Sequence, residues 1–584
     1  ITEPIAEIKD RKVQRLREMP ILRDEAIAGY IREEGDGLMF GPYERPEHLE
    51  LFAVDGVPES FGADLLPEDF AAVEANWMAA AELVPALGRT GIRRNVRGPF
   101  QMTADEMPLA GPAWGLGNFW LAEGVPGGIL WGGALGHYLS AWIVEGDAGI
   151  DMSEIDPRRF GDHCNKAWTK IKVKQAWGLH ADVRFPYQEW SGARPQKTAP
   201  SFDRLSELGA VWGNLNGWEI PNWFAPEGVP RLDEYSFRRA KNAEHVAAEV
   251  DAVRNAVGLV EMTPMTKFEV NGRGAAAWLA RTLANRLPGN GRAALSHHLS
   301  ARGTVQSEYV VCRLGDESFY LISTPRGQRL NLDLLTGTLP RDGSVTLRDA
   351  SLERGCFTVV GPRSRELLQN LTELNLSNEH FPWLSARSAT VGLATDVRLI
   401  RINYEGELGW ELYHPICYQR HLLDELLQYG QSLGIRLVGL HALESLRLDK
   451  SYRAMYRDMN QEHTALESSL DRFLDLAKDG FSGQQALLTQ KAAGLAKRLV
   501  TLQISPGDAP ANSNESIYCH GRLAGRVSSG AYSYHLKADL ALAYVDIEQA
   551  VSGQCLEVSI MNARREAVVI PDSPYDPNNS RIKA

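Results

Sequence analysis

The sequence predicts a multidomain protein of mixed α+β and α/β character that ends in a small β-barrel. Three observations carry this. The chain has 584 residues, which at roughly 150 residues per domain is about four folding units. Hydrophobic residues make up 44% and charged residues 23%, a globular balance that excludes disordered and collagen-like classes. The texture then changes along the chain. Up to about residue 245, short apolar runs alternate with Gly-, Trp-, Pro- and Asn-rich stretches. Beyond it strands and helices alternate regularly, and after Arg498 short strands are separated by Gly and Ser turns.

The elements follow in order. Residues 1–64 alternate apolar runs with turn residues, and 31–41 read as strand, tight turn, strand, with Asp36-Gly37 as the hairpin signal. Residues 66–87 read as a helix with Phe70, Val73, Trp77 and Val84 on one face and Pro67 near its start. Residues 119–122 read as a short buried strand, followed by a Gly-rich bend at 127–136 and a buried helix over 138–144. Residues 150–245 have weak periodicity and read as a connecting region rich in Trp, including Trp212, Trp218 and Trp223. Helices are expected at 244–257, 275–284, 419–433 and 441–449, and strands at 266–270, 304–314, 318–323 and 397–404. The expected boundaries are 1–148, 149–244, 245–490 and 491–584.

Bulk chemistry narrows the function. The net charge is −12, so nucleic acid is not an expected partner. The six cysteines form no CxxC pair and no zinc spacing. They read as reduced thiols in a cytoplasmic protein, with the mitochondrial matrix as the alternative, and no metal is expected. Residues 124–144 lack a formal charge but contain six glycines, Pro126, His137 and Ser140, a poor composition for a membrane span. The chain starts Ile-Thr-Glu-Pro, without Met or a signal-peptide pattern, and a processed or truncated start is expected.

Four features offer chemistry, each with a plainer reading beside it. Glycines at 124, 127, 128, 132, 133 and 136 would let backbone approach a flat ligand, or simply pack closely. They do not form a GxGxxG motif. Arg93, Arg94 and Arg97 would bind an anion or lie in a solvated loop. In Tyr404-Glu405-Gly406-Glu407-Leu408-Gly409-Trp410-Glu411, a carboxylate would accept paired hydrogen bonds from an amidine-like ring edge, or the acids would be solvated on a surface hairpin. Glu308 lies in a β-rich run and is either on an exposed face or deliberately buried. His297-His298 and His441 read as isolated and structural. No nucleophile elbow, Walker A or HExxH motif occurs.

Together these pieces carry a resemblance. From about 245 to 571 the chain resembles the folate-binding aminomethyltransferase module, the T-protein of the glycine cleavage system. Lys267-Phe268-Glu269-Val270 and residues 303–308 match its early strands. Residues 404–411 resemble its YTGExGxE signature, with Glu405 in place of threonine. Leu446-Arg447-Leu448-Asp449-Lys450 matches its LRLE segment, and residues 514–547 look like its C-terminal barrel. Residues 1–160 resemble the latter half of a flavin amine oxidase of the glycine-oxidase and sarcosine-dehydrogenase type. The whole layout is similar to the dimethylglycine and sarcosine dehydrogenase family. The resemblance implies a partial glycine-oxidase-like FAD/substrate domain, a connecting domain, a T-protein-like folate-binding domain and a C-terminal β-barrel.

It also implies a reaction. FAD takes a hydride from an N-methylated amino acid, the iminium passes to tetrahydrofolate to give 5,10-methylenetetrahydrofolate, and an acceptor protein or O2 takes the electrons. By resemblance, Tyr30 is the tyrosine near the substrate, and Gly127, Gly128 and Ile129 pass close to the flavin. Glu308 stands where the T-protein has its catalytic aspartate, and Tyr404 and Glu411 match pterin-binding positions. Leu443 stands where the T-protein has a folate-binding arginine, so the glutamate tail must be held elsewhere. The family's GxGxxG and its flavin-linking and active-site histidines would lie before Ile1, so a missing N-terminal segment or a separate chain is expected to complete the flavin site.

Overall fold

The computed structural model describes residues 1–44, 59–62, 64–180, 182–478 and 480–584. Residues 45–58, part of the region read as alternating runs and turns, lie outside the described residues.

At the N-terminus a three-stranded antiparallel sheet runs Leu22–Asp24, Gly29–Glu34 and Gly37–Pro42. The expected hairpin is present, with a shifted turn. Glu34 pairs with Gly37, so the turn residues are Gly35 and Asp36. Gly35 takes φ +56, the left-handed conformation that a two-residue hairpin turn requires. The helix expected over 66–87 is shorter and broken, spanning Glu74–Leu83 and Pro85–Arg89. Pro85 cannot continue the hydrogen-bond ladder of the preceding turn, and Pro67 lies well before the first turn. Trp77 and Val84 still pack on the core of Ile5, Ile31, Phe40 and Leu87.

Two expectations for the Gly-rich stretch are corrected. Strand Trp120–Glu123 pairs with Leu109–Pro112, but it is not buried: its residues are half-buried or exposed, and Phe119 before it is 52% exposed. Helix Ile129–Glu145 starts nine residues before the expected Tyr138, so that Gly132, Gly133 and Gly136 lie in the helix and not in a bend, and it is not a buried helix, because it buries only Leu139 and Trp142, against Ala148 and Met152. Ile129, Leu130 and Val144 are exposed. The physical reason is single-sided packing: only one stripe of the helix meets another layer among the described residues. No helix among the described residues is long and apolar enough to cross a membrane.

The connecting region has more order than its composition predicts. Helix Lys166–Gly178 begins at Asn165, whose side chain accepts from the Trp168 N–H. Hairpin Ala210–Leu215/Trp218–Phe224 turns at Asn216 and Gly217, both at positive φ. Trp223 and Val211 then join Val246, Val250, Val253 and Val438 in one core cluster, which ties this hairpin to the following unit.

That unit contains two sheets. One has five strands in the order Arg292–Leu299, Val305–Arg313, Ser318–Ser323, Thr266–Asn271 and Thr346–Asp349, all antiparallel. The other has six, including Ala394–Ile400, Gly409–Pro415 and Arg354–Val360, with one parallel pair between Ile435–Val438 and Val257–Glu261. Strand Arg292–Leu299 is additional to the elements expected from the sequence. The strand expected over 397–404 stops at Ile400. Helices Ala243–Asn255, Ala275–Thr282, Gln419–Gly430 and Leu440–Asp449 fall within the expected segments to within two or three residues at each end. The C-terminal region is a closed six-stranded barrel in which Lys497–Ile504 pairs with both Ala538–Asp546 and Ala563–Ile570. Its interior is small and apolar, with Ala541, Ala543, Val545, Ile517 and Val558 all buried.

Candidate functional site

Glu308 is set by strand alternation. Val305, Ser307, Tyr309 and Val311 face inward and are buried, whereas Gln306, Glu308 and Val310 are partly exposed. The carboxylate therefore lies on the face opposite the Phe268–Trp278 core. The antiparallel register places His297 directly across, with its Nε2 3.1 Å from Glu308 Oε2. The histidine side chain is fully buried and the glutamate is 24% exposed. His297 Nδ1 is buried without a partner, so Nε2 is the ring nitrogen placed to donate to the carboxylate. One oxygen of Glu308 is thereby held and the other remains available.

The segment after Ile400 is not the solvated surface hairpin that its three acids permitted. Glu405 and Glu407 are both buried. Asn403 folds the segment: its Oδ1 accepts from the N–H groups of Glu405 (3.2 Å) and Gly406 (2.9 Å), and its Nδ2 donates to the Glu407 carbonyl at 2.7 Å. Gly406 has φ +79, and a Cβ there would run into the Lys450 side chain. Fully buried Arg254 joins Glu407 (3.3 Å) to Asp449 (2.8 Å). Glu407 and Asp449 thus lock the fold.

The remaining acids and the tyrosine are left for chemistry. Tyr404 donates its hydroxyl to the Arg453 carbonyl at 2.7 Å and stacks on Tyr452, ring centres 5.7 Å apart. Burial pushes its phenol pKa up, with Asp458, Glu444 and Glu308 adding in the same direction and Arg447 opposing. Glu308 therefore lies within electrostatic range of Tyr404. Glu411, on strand Gly409–Pro415, accepts from the Tyr413 hydroxyl at 2.9 Å and forms no salt bridge among the described residues. Burial raises its carboxyl to about 8, with nearby Glu405 adding to the shift. A carboxyl short of partners and without a counter-cation suits the N–H edge of a pterin or guanine-like ring. Leu443 is buried and offers no charge to such a ligand.

The flavin-side candidates lie on other elements. Tyr30 is on strand Gly29–Glu34 with its ring over Gly41, where any Cβ would strike it, and Tyr43 is 6.4 Å away. Gly127 packs beneath Trp131, since a Cβ there would come within 2.6 Å of that ring. Gly128 precedes the helix at φ +47, and Gly128, Gly132, Gly133 and Gly136 have open space where a Cβ would stand. With Ile129 fully exposed beside them, this is an open, flat, apolar backbone surface that fits a planar ring or a covering chain segment.

Sequence reasoning took His297 for an isolated structural residue, which its contact with Glu308 corrects, and it left out Tyr452, Asn403 and Arg254. Only His297 had an available signal: the Arg302-Gly303 turn places residues 297 and 308 opposite each other once 292–299 is read as a strand.

Comparison with known proteins fits this layout. Residues 1–142 match the family model described as FAD dependent oxidoreductase, and 145–199 its central domain. Residues 201–478 match the GCVT N-terminal domain, and 497–576 the glycine cleavage T-protein C-terminal barrel domain. The chain is 36% identical over 590 residues to the mitochondrial dimethylglycine dehydrogenase of Rattus norvegicus, covering 100% of this chain and 68% of the relative. The chain belongs to the dimethylglycine dehydrogenase family. The Homo sapiens mitochondrial dimethylglycine dehydrogenase is likewise 36% identical, over 591 residues, again with 100% and 68% covered. Among solved structures, aminomethyltransferase T of Bartonella henselae superposes with a TM-score of 0.57 at 21% identity, covering 65% of this chain and 98% of that one. That similarity supports the fold of the T-protein-like part of this family member.

Proposed function

We propose that the protein oxidatively demethylates an N-methylated glycine of the dimethylglycine type, using FAD and tetrahydrofolate. The observation that carries this is Glu308, half-buried and held by His297 beside Tyr404, in a chain whose residues 1–142 match a flavin oxidoreductase model. In this reading FAD, when bound, would supply hydride acceptance from the N-methyl carbon, and tetrahydrofolate would supply an acceptor for the one-carbon unit.

The protein's own residues do the rest. Glu308 places negative charge where a cationic one-carbon donor would meet the folate nitrogen, and its free oxygen takes up the released proton. His297 fixes the other oxygen. Glu411 accepts from the pterin N–H edge, and Tyr404 closes the pocket from the side. Tyr30 positions the amine. Gly127, Gly128 and Ile129 present backbone and apolar surface to the flavin. The uncovered glycine face and the exposed Ile129 and Leu130 fit a covering FAD-binding segment or separate chain, and the matched relatives are longer than this chain. An acceptor protein or O2 would take the electrons from such a bound FAD. The mitochondrial names of these relatives favour a mitochondrial location over the cytoplasm.

The same uncovered surface favours a second reading, a folate-binding aminomethyltransferase module with a non-functional flavin remnant. One experiment separates them. The holoprotein is mixed anaerobically with dimethylglycine, the flavin band is followed, and formaldehyde is assayed with and without tetrahydrofolate. Bleaching of the flavin, with formaldehyde replaced by methylenetetrahydrofolate when folate is present, is the expected result. No bleaching, with folate still bound, leaves only the second reading.

A further inference from the structure

Arg23 and Tyr30 oppose each other in the N-terminal sheet. Strand Leu22–Asp24 pairs with Gly29–Glu34 so that Arg23 stands directly across from Tyr30, and directly opposed residues share one face of an antiparallel pair. On its other side Tyr30 pairs with Gly41, whose missing side chain leaves room for the Tyr30 ring. Arg23 is exposed, and its guanidinium lies 5.6 Å from the centre of the Tyr43 ring.

Aromatic rings gather around this pair. The Tyr43 ring centre is 6.4 Å from Tyr30, 5.8 Å from Trp177 and 4.8 Å from His180, and Trp177 stacks on His180 at 5.7 Å. Burial first, and then the Arg23 charge, hold the His180 pKa below its ordinary value, so at neutral pH that ring is uncharged.

The Arg23 charge has no acid to meet it. Arg23 makes no salt bridge among the described residues, and one of its N–H groups donates to the His180 carbonyl at 3.2 Å. The two acids that follow it in the chain are engaged elsewhere. Asp24 Oδ1 accepts from the Ala26 N–H at 2.8 Å, and Glu25 Oε1 from the Val183 N–H at 3.0 Å. An arginine beside a tyrosine and a group of rings, without a counter-charge, suits an added carboxylate, which its planar fork grips with two parallel hydrogen bonds.

We infer that Arg23 binds the carboxylate of the amino-acid substrate and sets the preference for N-methylated amino acids over amines that lack a carboxylate. The inference rests on the oxidative-demethylation reading given above and deepens it. In a glycine one carbon separates the carboxylate from the nitrogen. A carboxylate held on Arg23 therefore brings the methylated nitrogen beside Tyr30 and Tyr43, whose ring faces attract a methylated cation.

The test is isothermal titration calorimetry on the dithionite-reduced holoprotein, which cannot turn its ligand over. The ligands are dimethylglycine and dimethylglycinamide, which differ in the carboxylate charge. The wild type is expected to bind the acid about 30-fold more tightly than the amide. Arg23→Met should bring that ratio to within about threefold. Arg23→Lys, which keeps the charge but not the fork, should leave it near fivefold, about midway between the two. No preference for the acid in the wild type, or an Arg23→Met variant that keeps the full ratio or weakens both ligands by the same factor, would overturn the carboxylate site. Bleaching of the oxidised wild-type flavin by dimethylglycine would show that the demethylation reading survives that loss. No bleaching and no binding of either ligand would overturn the two together.

Discussion

His297 and Glu308 are eleven positions apart in sequence yet directly opposed across neighbouring strands, with a 3.1 Å contact between Nε2 and Oε2. Each residue alone has a plain structural reading. Together they make a half-buried carboxylate with one oxygen fixed and one free.

Glu308→Gln keeps the shape and removes the charge and the proton acceptor. One-carbon transfer to tetrahydrofolate is expected to fall by about 10²–10⁴-fold, with little change in melting temperature. Flavin reduction by the amine should persist. Single-turnover formation of methylenetetrahydrofolate measures the first, and stopped-flow absorbance the second. Loss of both together would show that Glu308 serves the fold instead.

Glu411 gives a pH signature. Its carboxyl is raised from 4.5 to about 8, by burial first and by Glu405 second, so in this range the folded state holds a proton that the unfolded state releases. Its contribution to stability is complete below pH 4.5 and is lost as pH rises through about 8. Glu411→Gln cannot lose that proton. The difference between variant and wild type in urea midpoint should therefore move in favour of the variant between pH 5 and pH 9. A difference independent of pH would contradict the assignment.

Arg254 is fully buried between Glu407 and Asp449. Arg254→Met leaves two buried carboxylates without their cation, at an expected cost of about 3–5 kcal/mol. Chemical denaturation would measure it. Adding Glu407→Gln and Asp449→Asn to the same chain should recover part of the loss, because neutral groups are easier to bury.

Gly406→Ala tests the segment that presents Tyr404. The position has φ +79, and its Cβ would strike the Lys450 side chain. Strain and displacement together should cost about 1–3 kcal/mol and weaken folate binding in parallel. An alanine variant with unchanged melting temperature would mean that the turn relaxes freely.

Much of this was legible in the sequence where one periodicity dominates. Strand Ser318–Ser323 and helix Leu440–Asp449 fall where alternation and helical spacing place them. The N-terminal hairpin was legible too, though the turn took Gly35-Asp36 and not Asp36-Gly37, since a glycine on either side of Asp36 satisfies the same composition. The Gly-rich helix was misread as buried because its apolarity says nothing about how many layers reach it. Glu405 and Glu407 were read as candidates for solvent because their burial depends on Asn403 and Arg254, the latter 151 residues away from Glu405 in sequence. The Glu308–His297 pairing depends on register, which composition does not encode.

The barrel closes by joining Lys497–Ile504 to Ala563–Ile570, the first and last of its strands. During synthesis the earlier strand must wait for the later one to leave the ribosome. Until then it keeps an unpaired edge, and such edges recruit other chains. Shortening the protein from its C-terminal side into that last strand would therefore do more than remove a few contacts. It would leave two open edges on every molecule, and the expected outcome is insoluble protein, where loss of a surface loop of the same length would be tolerated.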